Sequence, residues 1–157
     1  MTTYRIQLIR TPIAEPRIQL SSPEAIAGYC RGMARWDREH LLRLDLNTRC
    51  QLQGHEIVHV GTSDFIALSP RHVFAGALLA GARQCVILHN HPSGNASPSE
   101  EDRETARRLV EVGKLLDIPM VDFIVIGDDG HYWSMRGGYG RAQGEATHQL
   151  DLRTFAK

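Results

Sequence analysis

The stretch from His89 to Asp102, HNHPSGNASPSEED, constrains this chain more than any other. The apolar run Cys85–Leu88 precedes it and is typical of a buried strand. A helical pattern of apolar residues follows it, from Thr105 to Leu116. The stretch is therefore predicted to join a buried strand to a helix, and it carries two imidazoles, a hydroxyl and a carboxylate at that junction.

The two histidines are the first pair of groups that local geometry brings together. His89 and His91 are two residues apart, so their side chains point to the same face if the strand continues through them. Asn90 is then expected on the opposite face. Two imidazoles at this spacing can bind one metal ion, although a polar loop edge without a metal shows the same pattern.

The helix start brings in a hydroxyl and a carboxylate. Ser97-Pro98-Ser99-Glu100 predicts Ser97 as the N-cap, a proline at the first helical position and a capping box closed by the glutamate. Ser99 and Asp102 then share one face of the first turns, and Asp102 leans back toward the histidines. A second capping box, formed by Ser99 and Asp102, is an alternative that requires no chemistry.

His89, His91 and Asp102 form a three-ligand set that leaves one coordination position open. This arrangement is the pattern of a catalytic zinc site rather than a structural one. The spacing therefore predicts one Zn²⁺ ion per chain, with the hydroxyl of Ser99 beside it.

The same residues carry a family resemblance. The spacing of His89, His91, Ser99 and Asp102 resembles the metal-binding motif of the JAMM (MPN+) zinc metallopeptidases. The fuller wording LHNHPSGNASPS, together with SPRHVFA at 69–75, is similar to the RadC branch of that superfamily. The likeness extends from about Trp36 to Tyr139. Asn90 departs from the eukaryotic deubiquitinases, which have Ser or Thr there, and agrees with the RadC branch.

The resemblance implies a mechanism as well as a metal. It implies that His89, His91 and Asp102 hold zinc, that Ser99 stabilises a developing oxyanion, and that an upstream glutamate is the general base. Glu56, in the segment HEIVHVGT, matches the position of that glutamate, although it would otherwise be a solvated charge on an edge strand. The implied reaction is hydrolysis of an amide or isopeptide bond in a peptide or ubiquitin-like protein.

Strand and helix patterns alternate along the chain and predict an α/β fold, a mixed β-sheet flanked by helices. The resemblance implies the same α-β-α sandwich, as in the JAMM and cytidine-deaminase architectures. We divide the chain into an N-terminal strand and helix extension packed on the domain (1–36), a RadC-type metal domain (37–140) and a polar C-terminal tail (141–157). Helices are expected to begin at Ser22-Pro23 and Ser69-Pro70, and three glycines after residue 136 predict an exit loop.

Composition limits the competing functions. A net charge of zero does not support nucleic-acid binding, yet a metal-dependent nuclease or other DNA-repair-associated role and a non-catalytic partner-binding module remain alternatives. A zinc deaminase is excluded because its His-x-Glu and Pro-Cys-x-x-Cys motifs are missing. Three widely spaced cysteines and the absence of a long apolar stretch predict no disulfide framework, no membrane span and a cytoplasmic location. The oligomeric state is not predicted.

Overall fold

The computed structural model describes residues 17–61 and 69–143. Over these ranges the chain forms the predicted α/β fold, with a mixed six-stranded sheet and three α-helices. The helices are α1 (Pro23–Cys30), α2 (Pro70–Ala80) and α3 (Glu100–Leu115); the strands are β1 (His40–Leu46), β2 (Leu52–Val60), β3 (Gln84–Asn90), β4 (Met120–Ile126), β5 (His131–Ser134) and β6 (Gly138–Arg141). The strand predicted in the N-terminal extension, at 4–9, and residues 144–157 of the polar tail lie outside the described ranges.

The order of the strands explains where the stretch from His89 to Asp102 lies. The described sheet runs β2-β1-β3-β4-β5-β6, with β3 and β4 parallel and each other neighbouring pair antiparallel. A parallel pair needs a crossover connection, and α3 supplies it. The C-terminal ends of β3 and β4 therefore lie side by side, at one end of the sheet's strands. The start of β1, which is antiparallel to β3, lies at the same end.

Alternation along the strands separates the core into two layers. One layer packs against α1 and includes Leu42, Leu44, Val86, Leu88, Ile124 and Ile126. The other packs against α2 and α3 and includes Leu41, Cys85, Ile87, Phe123 and Val125. The predicted sandwich of helices around a mixed sheet is therefore confirmed.

The helix assigned to the segment 1–36 forms one of these layers. Ser22 caps α1 through its hydroxyl, as expected, and a 3₁₀ turn (Arg31–Arg35) continues the helix toward Trp36. Cys30 and Met33 are fully buried in the core on that face of the sheet. In the described part of the chain, no helix has both the length and the apolar character that crossing a bilayer requires.

The glycine-rich segment after residue 136 was predicted to be an exit loop, and this prediction is wrong. Residues Gly138–Arg141 form β6, which pairs with β5. The ring of Tyr132 lies directly over Gly140, in space that a β-carbon at Gly140 would occupy. Glycine is depleted in strands in general, so its presence argued against a strand here. At this position its missing side chain is what lets the aromatic ring lie against the edge strand.

The buried side chain of Arg43 links β1, β2 and α2 through ion pairs and a hydrogen bond. Its side chain is 2% exposed, and its Nε lies 2.7 Å from Asp45 Oδ1 while one terminal nitrogen lies 2.8 Å from Glu56 Oε2. The other terminal nitrogen donates a 2.6 Å hydrogen bond to the carbonyl of Val73 in α2. Because Asp45 is also buried, its charge depends on this guanidinium for compensation.

Changing Arg43 to methionine is expected to lower the free energy of unfolding by about 3–5 kcal/mol, because it leaves the Asp45 carboxylate buried and unpaired. Denaturant unfolding of the purified variant measures the effect. Arg107→Met is the matched control, since Arg107 is exposed and pairs with Glu100 in α3. That control should change stability by no more than about 0.5 kcal/mol. Equal effects of the two substitutions would contradict the assignment of Arg43 as a buried link.

Candidate metal centre

The two histidines lie side by side at the end of β3. Their ring centroids are 4.8 Å apart and the rings are nearly perpendicular, with an interplanar angle of 89°. The backbone N–H of His91 donates to the carbonyl of Ile126, so the chain stays paired to β4 for one residue beyond Asn90. The same-face arrangement expected from alternation is therefore present.

The helix that follows begins two residues later than predicted. Ser99, not Ser97, is the N-cap of α3, so the predicted cap is wrong. Ser99 Oγ accepts a 3.0 Å hydrogen bond from the backbone N–H of Asp102, and Asp102 Oδ2 accepts from the backbone N–H and the hydroxyl of Ser99, each at 2.8 Å. The alternative capping box is thus formed, and it fixes the carboxylate of Asp102 at the helix start.

Asp102 also contacts both imidazoles. Its Oδ1 lies 2.9 Å from His89 Nδ1, and its Oδ2 lies 3.3 Å from His91 Nε2. Burial by itself would raise the pKa of Asp102, but hydrogen bonds from His89, His91 and Ser99 outweigh burial and hold that pKa well below its usual range. Asp102 is therefore a buried carboxylate, and the capping box serves the site as well as the helix.

A backbone carbonyl sets the tautomer of His91. His91 Nδ1 lies 2.7 Å from the carbonyl oxygen of Asn95, and a carbonyl only accepts, so Nδ1 carries the proton. Nε2 is then the nitrogen that faces Asp102 and can bind a metal. The hydrogen bond to Asp102 raises the pKa of His91 above its ordinary value, against an opposing effect of burial. A metal ion at this site would compete with a proton for Nε2.

Glu39 completes the cluster, and sequence reasoning missed it. Its Oε2 lies 3.5 Å from His89 Nε2, and one ligand atom each from Glu39, His89 and His91 lie within 4.8 Å of one another. Glu39 immediately precedes β1 and lies outside every motif named in the sequence analysis. No local pattern in the sequence marks it, because the antiparallel pairing of β1 with β3 is what sets Leu41 opposite His89 and carries Glu39 to the end of β3.

The structure does not bring Glu56, the predicted base, to this cluster. Glu56 pairs with Arg43, which in turn is opposite Ile87 in β3. It is thus two strands across and two residues along from His89, so the two Cα atoms are roughly 12 Å apart at ordinary strand spacings. The Glu56 carboxylate also lies against Gly76 in α2, where a β-carbon would overlap it. Of the predicted site residues, the four brought together are His89, His91, Ser99 and Asp102.

The donor set fits a zinc ion. Glu39, His89 and His91 each offer a ligand atom within 4.8 Å of the others, and the carboxylate of Asp102 contacts both imidazoles. Zinc in catalytic sites takes three protein ligands of these types. The site offers one carboxylate more than that requirement. One of the two, Asp102, is buried and fixed, and the other, Glu39, has a side chain that is 42% exposed. The geometry is therefore compatible with three ligands and a separate proton acceptor.

Comparison with known proteins finds relatives for most of the chain. The sequence model of the family described as "RadC-like JAB domain" matches residues 20–140. A "UPF0758 protein" from Desulforamulus reducens is 38% identical over 74% of this chain and 52% of its own length. Proteins with the same name from Rubrobacter xylanophilus and Methanosarcina acetivorans are each 38% identical, over 84% and 82% of this chain and 56% of their own lengths. The chain spans about half the length of these curated relatives.

Proposed function

Because the chain belongs to the RadC-like JAB domain family, we propose that it is a zinc-dependent hydrolase that cleaves an amide or isopeptide bond. The observation that carries the proposal is the convergence of Glu39, His89, His91 and Asp102 at the edge where β3 ends and β1 begins. Peptides and ubiquitin-like proteins are the proposed substrates. The relatives' shared name states no activity, so the substrate class rests on the resemblance of the metal motif to the JAMM zinc metallopeptidases.

The two carboxylates of the cluster are suited to different roles. Asp102 is 2% exposed and its Oδ2 is bound by the N-cap of α3, so it is a fixed negative charge that a cation would neutralise. Glu39 belongs to an irregular segment before β1 and faces solvent, so its carboxylate can exchange protons with water. We assign His89, His91 and Asp102 as the metal ligands and Glu39 as the general base.

Each residue around the metal would have a separate role in the reaction. A zinc ion in this site would polarise the scissile carbonyl and acidify a water molecule, toward a pKa of about 7. Glu39 accepts the proton from the attacking water and returns it to the leaving nitrogen as general acid. Ser99 Oγ is held in place by the backbone N–H of Asp102, so its hydroxyl can turn from the carboxylate to donate to the developing oxyanion.

The purified protein is expected to contain about one zinc per chain, because the cluster provides three ligands around a single position. Elemental analysis after dialysis measures the stoichiometry. Removing the metal with a chelator should lower the melting temperature, since a ligand present at about 100 times its Kd stabilises a protein by about 2.7 kcal/mol. A protein that takes up no zinc and melts at the same temperature with and without chelator would exclude a zinc site here.

The activity is tested with a panel of substrates on the zinc-loaded protein. The panel contains ubiquitin-like fusions, unstructured peptides and DNA, each incubated with the wild type and with Glu39→Gln. Cleavage of an amide bond by the wild type, lost in Glu39→Gln, is the expected result. Cleavage of DNA instead would replace the proposal with a nuclease. Zinc-loaded protein that cleaves nothing in the panel would favour a partner-binding role.

A further inference from the structure

Asn90 stands between the two histidines but points away from them, and the zinc-site assignment gives it no role. It is fully buried at the end of β3. Its Oδ1 accepts a 2.8 Å hydrogen bond from the backbone N–H of His40, and its Nδ2 donates a 2.9 Å hydrogen bond to the carbonyl of Arg38. The residue between these two partners is Glu39. One side chain therefore holds the backbone on both sides of the assigned base.

The segment that carries Glu39 needs such a support. Residues 37–39 lie between the 3₁₀ turn and β1, and they belong to no helix or strand. The backbone of Glu39 itself is held from the other side, where the N–H of Gly61 donates a 2.7 Å hydrogen bond to the Glu39 carbonyl. A β-carbon at Gly61 would lie 3.4 Å from the β-carbon of Glu39, so the residue that follows β2 packs closely against Glu39. The three consecutive residues 38–40 are thus fixed by the side chain of Asn90 in β3 and by the segment that continues the pairing of β1 with β2.

The two hydrogen bonds of Asn90 also require an amide. His40 provides a donor and Arg38 an acceptor, and a carboxamide is the short side chain that offers both an acceptor and a donor in one plane. Serine is too short to reach both partners at once. Aspartate keeps the acceptor but would direct a second oxygen at the Arg38 carbonyl.

We propose that Asn90 is a positioning residue that holds Glu39 at the metal centre from the opposite face of β3. This inference rests on the proposed function for its catalytic consequence, but the contact itself is independent of any substrate. Because β3 carries the metal-binding histidines on one face and this carboxamide on the other, a single strand sets the distance between ligands and base. A displacement on the order of 1 Å at a catalytic group can cost about 100-fold in rate.

The test uses four zinc-loaded proteins: the wild type, Asn90→Ser, Glu39→Gln and the double variant. Asn90→Ser is expected to keep about one zinc per chain, because it touches neither imidazole, and to lower kcat about 10–100-fold with KM unchanged on any amide substrate that the wild type cleaves. In the Glu39→Gln background the same substitution should cause no further loss, since its effect passes through Glu39. An equal loss in both backgrounds, or loss of zinc in Asn90→Ser, would overturn the proposal.

Two further measurements need no substrate, so they separate this inference from the proposed function. Hydrogen exchange at the His40 amide should be at least about 10-fold faster in Asn90→Ser, while the amides of Leu42 and Leu44 remain protected. The visible absorption of the cobalt-substituted protein should change on Asn90→Ser when Glu39 is present and stay constant in Glu39→Gln. A wild-type cobalt spectrum in Asn90→Ser would contradict the positioning role even if no substrate is ever found.

A matched control separates positioning from general support of the backbone. Asn47 binds backbone groups in the turn between β1 and β2, where its Oδ1 accepts from the N–H groups of Arg49 and Gln51. Asn47→Ser should lower the melting temperature and leave the cobalt spectrum and kcat unchanged. Asn90→Thr, whose additional methyl group fills more of the buried space and which strands favour, provides a second variant with the same expected results if the serine variant does not fold. An altered cobalt spectrum in Asn47→Ser would show that the readout reports stability alone.

Discussion

Changing Glu39 to glutamine is expected to lower amide hydrolysis by roughly 10²–10⁴-fold while zinc stays bound. Glutamine keeps the length and shape of the side chain beside His89 but cannot take a proton at any working pH. Because the three assigned ligands are untouched, elemental analysis should still find about one zinc per chain. Initial rates on a cleaved member of the substrate panel, with metal content measured on the same preparation, give both quantities.

Glu56→Gln is the matched control, and it decides between the two glutamates. The sequence predicts Glu56 as the base. In the structure, Glu56 lies on the edge strand β2, its side chain is about half exposed, and it pairs with Arg43. The control should retain the wild-type rate and change stability by less than about 1 kcal/mol, as expected for a partly exposed ion pair. A protein that loses turnover on Glu56→Gln and keeps it on Glu39→Gln would return the base to Glu56.

The parts of the site that sequence predicted are those set by local geometry. His89 and His91 share a face because strand side chains alternate, and Asp102 reaches them because helical side chains lean toward the N-terminus of the helix. These relations extend over a few residues and need no knowledge of the rest of the fold. The layers of the sandwich were predictable for a similar reason, since alternating and helical patterns fix which face of each element is apolar.

The parts that were missed depend on which strands become neighbours. Glu39 joins the cluster only because β1 pairs with β3 in an antiparallel register, 50 residues away along the chain, and no local pattern reveals that register. The resemblance implied a glutamate upstream of the two histidines as the base, and both Glu39, which immediately precedes β1, and Glu56, in β2, satisfy that description. Only the tertiary structure distinguishes these two glutamates.

The choice of helix cap shows a competition between local signals. Both Ser97 and Ser99 can act as N-caps, because each is followed three residues later by an acidic residue that can close a capping box. The cap at Ser99 places the carboxylate of Asp102 against both imidazoles, a stabilisation that sequence rules for helix ends do not include. When α3 begins after Ser99 rather than after Ser97, the carboxylate of Asp102 contacts both histidines.

Asp102→Asn is expected to lower zinc affinity by about 10³-fold, enough for the metal to be lost on dialysis. The apparent binding free energy of a full zinc site is on the order of 10–16 kcal/mol, so the share of one ligand in three is about 4 kcal/mol, or about a factor of 10³. The amide has the same shape as the carboxylate and can still accept from Ser99, so α3 should keep its start. Competition against a chromogenic chelator measures the affinity.

The neighbouring Glu101 provides the control for this substitution. Glu101 lies in the same first turn of α3 and is exposed, so Glu101→Gln makes the same change of charge at the same helix end without touching the imidazoles. It should keep the wild-type zinc affinity. In the metal-free proteins, the pKa of His91 should fall in Asp102→Asn and stay raised in Glu101→Gln, because the hydrogen bond to Asp102 is the largest cause that raises it. Histidine titrations followed by NMR measure that difference.

Together with Glu39→Gln, this substitution assigns the two carboxylates of the cluster. If Asp102 is the ligand and Glu39 the base, zinc is lost only from Asp102→Asn, and Glu39→Gln binds zinc without turning over. The opposite result, zinc retained in Asp102→Asn and lost in Glu39→Gln, would make Glu39, His89 and His91 the ligands and leave Asp102 as the residue that orients His89 through Nδ1. Both arrangements place the ion on the same histidine pair, so the exchange of roles between the carboxylates is what the measurement decides.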